Sequence, residues 1–218
     1  MSEDRRTAGF LRMIQELDAR YLVGVADVRE VWLIRHADAY RDMAALAEGV
    51  IDPPLSERGR EQAERLAARL AAVPIHAVWS SELRRARETA SVVARDRPLT
   101  VRTDPRLREV RTHWDDSAEP ERLPPGSYPF PEPEAEVAGR MRSVLTDVVE
   151  DLAGVDAPRP RAAIVTHNAA ITVFLCSVLG LSWGQLRVMP QFTSVSVVAF
   201  KDDQVVVHSI ADTTHLLG

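Results

Sequence analysis

Lysine is almost missing from this chain: Lys201 is the only one, and every other basic side chain that is charged at neutral pH is an arginine. With no lysine near the sequence features described below, Schiff-base chemistry is excluded as their use. Cysteine is as scarce. Cys176 stands alone in the apolar run Ile171 to Leu181, so no internal disulfide framework exists and a reducing compartment is expected. A lone thiol in such surroundings reads as buried and inert. It is not a C-x5-R nucleophile either, because Ser182 stands where that arginine should be. Long apolar runs are absent too. The stretch Ala169 to Leu181 falls well short of the roughly 20 residues that span a bilayer, and the opening MSEDRRTAGFLRM shows no signal-peptide pattern. The cytoplasm is the expected compartment, with no membrane partner. A net charge of −5 argues against a nucleic-acid partner. Any anion must be held by a local cluster of positive groups.

What is present is the composition of an ordinary globular protein: 218 residues, 45% hydrophobic and 27% charged. The length favours a single domain over residues 1–218. Short apolar runs at Val31 to Ile34, Ile75 to Trp79, Ala162 to Val165, Val195 to Phe200 and Val205 to Ile210 read as strands, with Leu99 to Val101 a weaker sixth. Helical stripes alternate with them. Ala63, Leu66, Ala67 and Leu70 follow a capping Ser56; Leu83, Ala86, Ala90 and Val93 form a second stripe; Ala138, Met141, Leu145, Val148 and Leu152 form a third. The pattern predicts an α/β fold, a three-layer αβα sandwich with a mostly parallel central sheet and a C-terminal antiparallel hairpin. Residues 1–30 add a helical segment whose Phe10, Ile14, Leu17 and Tyr21 share one face. That face is expected to pack on its own domain, with a homodimer through Phe10 and Ile14 as the alternative. Residues 113–133, acidic and rich in proline, read as a lid loop.

Four segments carry chemistry, and each follows a predicted strand: LIRHADA with Arg35 and His36, SSELRRARETA with Arg85, PRLRE with Glu109, and IVTHNAA with His167. In open α/β sheets the carboxyl ends of the strands share one crevice, which helix N-termini also face. Two arginines and two histidines gathered there form a receptor for a dianion, since a guanidinium fork matches phosphate oxygens in pairs. The backbone N–H groups that begin the helices after His36 and His167 are expected to add to this field. A neutral histidine inside such a clamp, its second nitrogen held by an acceptor, is a competent nucleophile. A leaving alkoxide then needs a proton from a carboxylic acid.

Taken together, the R-H pair of LIRHADA, the PPLSERGREQA segment, the S-x-L-x-R-A-x-x-T-A pattern from Ser81 to Ala90, VTHNAA and the ending ADTTHL make the chain resemble the histidine phosphatase superfamily, which includes the phosphoglycerate mutases. The resemblance runs from about Val31 onward and is to the phosphatase-type branch. It implies His36 as nucleophile, Arg35, Arg85 and His167 as the phosphate clamp, Glu109 as acid and base, and no metal or other cofactor. Asp104, Asp115 and Asp116 stand near Glu109 as alternatives for its role. Ala37 and Asn168 replace glycines common in the family, and Asn168 is expected to add a hydrogen bond to phosphate. Asp42 replaces an asparagine often found in mutases.

The leading expectation is a phosphatase for a phosphomonoester, with a small phosphorylated metabolite as partner. The other readings are a phosphoglycerate-type mutase, a protein phosphohistidine or phosphotyrosine phosphatase, and a phospho-ligand binding protein without turnover. Asp42, the compact length and the short stretch after Ile210 count against the mutase. Arg84 and Arg87 read as solvated charges, and His76, His208 and His215 as structural. His113 and Trp114 read equally as substrate contacts or as packing residues, and Tyr128 and Phe130 as a loop packing on its own aromatics, with a place at the pocket mouth as the alternative.

Overall fold

The computed structural model describes residues 2–40, 52–111 and 127–217, without the side chains of residues 2–6. Its helices are α1 (Ser2–Arg20), α2 (Glu57–Leu70), α3 (Arg84–Ala94), α4 (Glu134–Leu152) and α5 (Asn168–Leu179). Its strands are β1 (Arg29–Arg35), β2 (Ala77–Ser80), β3 (Val101–Thr103), β4 (Arg161–Thr166), β5 (Val195–Lys201) and β6 (Gln204–Asp212). They form one sheet in the order β3-β2-β4-β1-β5-β6. β3, β2, β4 and β1 run parallel, β5 runs antiparallel to β1, and β6 turns back against β5. Only β5 is reversed.

The period-two alternation of a strand sends neighbouring side chains to opposite faces, and here it separates two cores. Leu33 of β1 and Ile164 of β4 join Met141, Leu145, Val148 and Phe174 of α4 and α5. Ile34 and Val165, each one residue later, join Leu66, Leu70, Ala86, Ala90 and Val93 of α2 and α3. This is the expected three-layer arrangement, and the three helical stripes are its buried faces. Because the strands are buried on both sides, they read as continuous apolar runs rather than alternating ones.

Pairing, not apolar content, sets the strand limits. β3 lies at Val101–Thr103 rather than Leu99 to Val101, because Val101 pairs with Val78 and Thr103 with Ser80. β2 begins at Ala77, opposite Ala162, rather than at Ile75.

The leading helix departs from expectation. Its apolar stripe does not pack on the domain: Phe10 is 58% exposed and Tyr21 52%, and Ile14 and Leu17 are also exposed. What docks is the segment after it. Leu22 and Val28 are buried with Ala199, Arg159 donates to Leu22 O at 2.8 Å, and His208 Nε2 meets Tyr21 O at 2.8 Å. The helix face is real, but it is the segment after it, residues 20–28, that the hairpin and Arg159 hold.

The PPLSERGREQA segment fixes the turn that follows β1. Ser56 Oγ accepts from Gly59 N–H at 3.0 Å, capping α2, and donates to Asp38 Oδ2 at 2.9 Å. Gln62 Oε1 accepts from Asp38 N–H at 2.9 Å. Gly59 is required by proximity, since a Cβ there would lie 1.9 Å from Asp38 O. Gly59→Ala is therefore expected to destabilise the protein by about 3 kcal/mol, read as a lower urea midpoint at unchanged slope. A variant with the wild-type midpoint would show that the turn yields freely.

Candidate active site

β1 and β4 are neighbours in register, with Arg35 opposite Thr166, so the next residue on each strand is a histidine. Adjacent strands lie about 4.8 Å apart, and the rings of His36 and His167 have centroids 5.0 Å apart. Both rings are buried. Arg85 reaches across from the first turn of α3, its Nε 3.2 Å from His36 Nε2 and its Nη2 3.3 Å from His167 Nδ1.

A guanidinium has donors and no acceptor. The two imidazole nitrogens that face it must therefore offer lone pairs, and both tautomers follow. His36 carries its proton on Nδ1 and donates to Ala37 O at 2.7 Å. His167 carries its proton on Nε2 and donates to Ser81 Oγ at 2.8 Å. Burial, then the nearby charge of Arg85, pulls the His36 pKa down to about 3, against the opposing pull of the Ala37 carbonyl. His167 is held well below the ordinary histidine value by burial and then by His36 and Arg85. Both rings are neutral at physiological pH, as a nucleophile requires.

Arg35 closes another side. Its guanidinium lies 4.0 Å over the Phe192 ring, and Nη1 donates to Pro190 O at 2.7 Å. Phe192 also packs on His36, with centroids 5.6 Å apart. Glu109 lies at the start of α5, where Oε1 accepts from Val110 N–H at 3.0 Å and Ala170 N–H at 3.2 Å. Burial raises its pKa, only partly offset by those amides and by Arg85.

Chemistry-bearing residues from four separate segments thus meet at one end of the sheet. Residues 31–213 match the family model of the histidine phosphatase superfamily, branch 1. The chain belongs to that superfamily. Among curated histidine-phosphatase relatives, the probable phosphoglycerate mutase GpmB of Cronobacter sakazakii is 30% identical over 208 residues, covering 86% of this chain and 94% of that protein. Solved structures share the fold. A mycobacterial glucosyl-3-phosphoglycerate phosphatase superposes with TM-score 0.70 at 24% identity, covering 85% of this chain and all (100%) of that one. A phosphoserine phosphatase of Entamoeba histolytica, solved as a histidine-to-alanine variant in complex with phosphoserine, gives TM-score 0.68 at 18% identity, covering 86% and 99%.

Within this member of the superfamily, not every expected residue stands as anticipated. The amide of Asn168 donates to Met189 Sδ at 2.9 Å, and its buried Oδ1 has no hydrogen-bond partner among the described residues. The N-terminus of α5 gives its Ala170 amide to Glu109 instead of leaving it for an anion. Residues 37–40 after His36 are not helical and the next described helix, α2, begins at Glu57, while residues 41–51 between them lie outside the described ones. Asp104 is tied to Arg106 at 2.7 Å, which removes it as a competitor of Glu109. Asp42, His113, Trp114, Asp115 and Asp116 lie outside the described residues, as does most of the expected lid. Tyr128 and Phe130, by contrast, pack edge-on against each other, as expected, and also against Trp183. Arg84 and Arg87 are exposed.

Sequence reasoning missed several contributors. Ser81 orients His167. Thr89 Oγ1 accepts from Ala37 N–H at 3.0 Å and donates to Arg85 O at 2.8 Å, joining the turn after His36 to the turn bearing Arg85. Both residues sit in the motif from Ser81 to Ala90, so the signal was there without its meaning. Thr193 has a left-handed φ of 58°, rare for a β-branched residue, and its N–H donates to Arg35 O at 3.0 Å. No sequence pattern marks it.

A histidine kept neutral in the fold binds a proton more readily once unfolded. Between the ordinary value of 6.5 and about 3, falling pH therefore favours unfolding. His36→Asn is expected to flatten that part of the stability–pH curve, measured as urea midpoints from pH 7 downward. Parallel curves for the two proteins would contradict the low pKa.

Proposed function

We propose that this chain is a phosphatase that hydrolyses a small phosphomonoester through a phosphohistidine on His36. The observation that carries the reading is the lone pair of His36 Nε2, held 3.2 Å from Arg85 Nε with its ring fixed by Ala37 O. A phosphoryl group taking the place between the imidazoles would find the nucleophile on one side and donors on the others.

In the first step Nε2 attacks phosphorus in line, the N–P bond forms and the ester P–O bond breaks. Arg85 and Arg35 stabilise charge on the equatorial oxygens. Because Oε1 of Glu109 already accepts two amides, the proton of the neutral acid sits on Oε2, from which it passes to the leaving oxygen. Water then attacks the phosphohistidine, the resulting Glu109 carboxylate takes its proton, and the N–P bond breaks to release inorganic phosphate. No step calls for a metal. His36 is only 6% exposed, which favours a phosphate borne on a slim metabolite over one borne on a protein surface. The lone, buried Cys176 fits a cytoplasmic setting.

The mutase name of the relatives near 30% identity gives a second reading, in which the same phosphohistidine passes its group to a second alcohol rather than to water. A panel of phosphorylated metabolites separates the two. Phosphate release is expected to exceed any interconversion of 2- and 3-phosphoglycerate, followed by phosphorus NMR. Isomerisation outpacing release would favour the mutase.

His36→Ala is expected to lower kcat by at least about 10³-fold with the fold intact, and turnover near wild type would remove His36 from the reaction. A rapid-quench phosphoenzyme stable in alkali and labile in acid is expected from wild type alone. Prolonged dialysis against a chelator is expected to leave the rate unchanged; strong loss restored by a divalent cation would overturn the metal-free scheme.

A further inference from the structure

Glu109 lies in the segment after β3, where one short 3-10 turn at Pro105–Leu107 is followed by irregular backbone up to the residues that are not described. Such a segment has few ladder bonds to fix it, yet an acid must be aimed within a fraction of an ångström. The structure supplies the missing constraint from elsewhere. Arg140, on the first half of α4, turns its guanidinium onto three carbonyls of that segment. Nη1 donates to Arg106 O at 2.7 Å and Arg108 O at 2.8 Å, and Nη2 to Glu109 O at 3.3 Å.

The guanidinium is itself fixed. Glu132, 4% exposed, accepts from Arg140 Nε at 2.7 Å through Oε1 and from Nη2 at 3.2 Å through Oε2. Oε2 also accepts from Arg111 N–H at 2.9 Å. One ion pair thus grips the chain on both sides of the acid, at residues 106, 108 and 109 before its side chain and at 111 after it. A buried pair of this kind is a weak source of net stability, because desolvation offsets the attraction, and it is better suited to selecting one geometry. Its fork also suits the task in a way lysine does not, since a planar guanidinium can serve several acceptors in fixed directions.

We propose that Arg140 and Glu132 are positioning residues that hold Glu109 where its proton reaches the leaving group. The inference rests on the phosphatase reading, with Glu109 as acid, and adds a requirement to it. Neither residue touches the rings of His36 or His167, so binding of the phosphoryl group and attack by Nε2 do not need them. What needs them is the proton transfer.

That division can be measured with phenyl phosphate and p-nitrophenyl phosphate, two esters of similar size. Phenolate, whose conjugate acid has a pKa of ~10 like the tyrosine phenol, leaves poorly without a proton, whereas p-nitrophenolate leaves without help. kcat/KM reports the steps up to phosphoenzyme formation, where the acid acts. Arg140→Lys keeps the positive charge that also acts on His167 but loses the fork. It is expected to lower kcat/KM for phenyl phosphate by about tenfold or more while changing that for p-nitrophenyl phosphate less than about threefold. Glu132→Gln is expected to act in the same direction with smaller size, and Glu109→Gln to show the same selectivity most strongly. Combining Glu109→Gln with Arg140→Lys should add little, because the second change only misplaces a group the first has removed.

A wild-type enzyme inert to both esters would sink the phosphatase reading itself. An active wild type whose Arg140→Lys and Glu132→Gln variants lose both esters equally, or neither, would sink the positioning role alone. Should Arg140→Lys fail to fold, Glu132→Gln carries the comparison; loss of the folded state in both would assign the pair to stability and overturn the proposal.

Discussion

One guanidinium between two imidazoles governs this site. Arg85 can only donate, so its contacts with His36 at 3.2 Å and His167 at 3.3 Å oblige each ring to turn a lone pair inward and send its proton outward. Ala37 O and Ser81 Oγ stand where those protons emerge. The rest of the neighbourhood reads as support for that contact. Ala86 is buried directly behind Arg85. Asp52 Oδ1 takes the Arg84 N–H at 2.6 Å and lies 3.8 Å from Arg85 Nη1, steadying the same helical turn. Thr89 then ties that turn to the residue after His36, so the backbone bearing the cation is hydrogen-bonded to the backbone bearing the nitrogen it faces.

The sheet sets the scale. Parallel neighbours in register deliver their next residues about one strand spacing apart, and no loop has to be folded with precision to bring the two histidines together. Glu109 is different, since it follows the short edge strand β3 and enters from irregular backbone. It is correspondingly held by auxiliary contacts: two backbone amides on its carboxylate and the Arg140–Glu132 grip on its main chain.

Much of this was legible in the residues. The strand-then-motif rhythm located four of the converging segments, and buried-strand runs gave the sheet because side chains pointing to both faces must all be apolar. The parts that were not legible share a cause: they depend on who faces whom across the fold. The stripe on α1 is a true helical face, but periodicity says nothing of whether a partner lies opposite, and here Phe10 and Tyr21 meet none of the described residues closely enough to be covered. Helix α5 begins at a motif as expected, but which acceptor takes its Ala170 amide is decided by the return of the chain at Glu109. Arg140 and Glu132 lie 8 residues apart in what looks like an ordinary charged loop and helix start. Nothing in that spacing announces that they bracket an acid 31 residues before Arg140.

The reversed strand has an evolutionary corollary. Phe192, Pro190 and Met189, which touch Arg35, His36 or Asn168, all belong to the approach to β5, whereas the segments bearing His36, Arg85, Glu109 and His167 lie beside the four parallel strands. Thr193, pinned to Arg35 O through its left-handed turn, is the joint between the two sets. A lineage can therefore remodel the approach segment, and with it the surroundings of Arg35 and His36, while the parallel strands keep their register. Divergence in ligand choice with retention of the chemistry is the outcome such a division of labour permits.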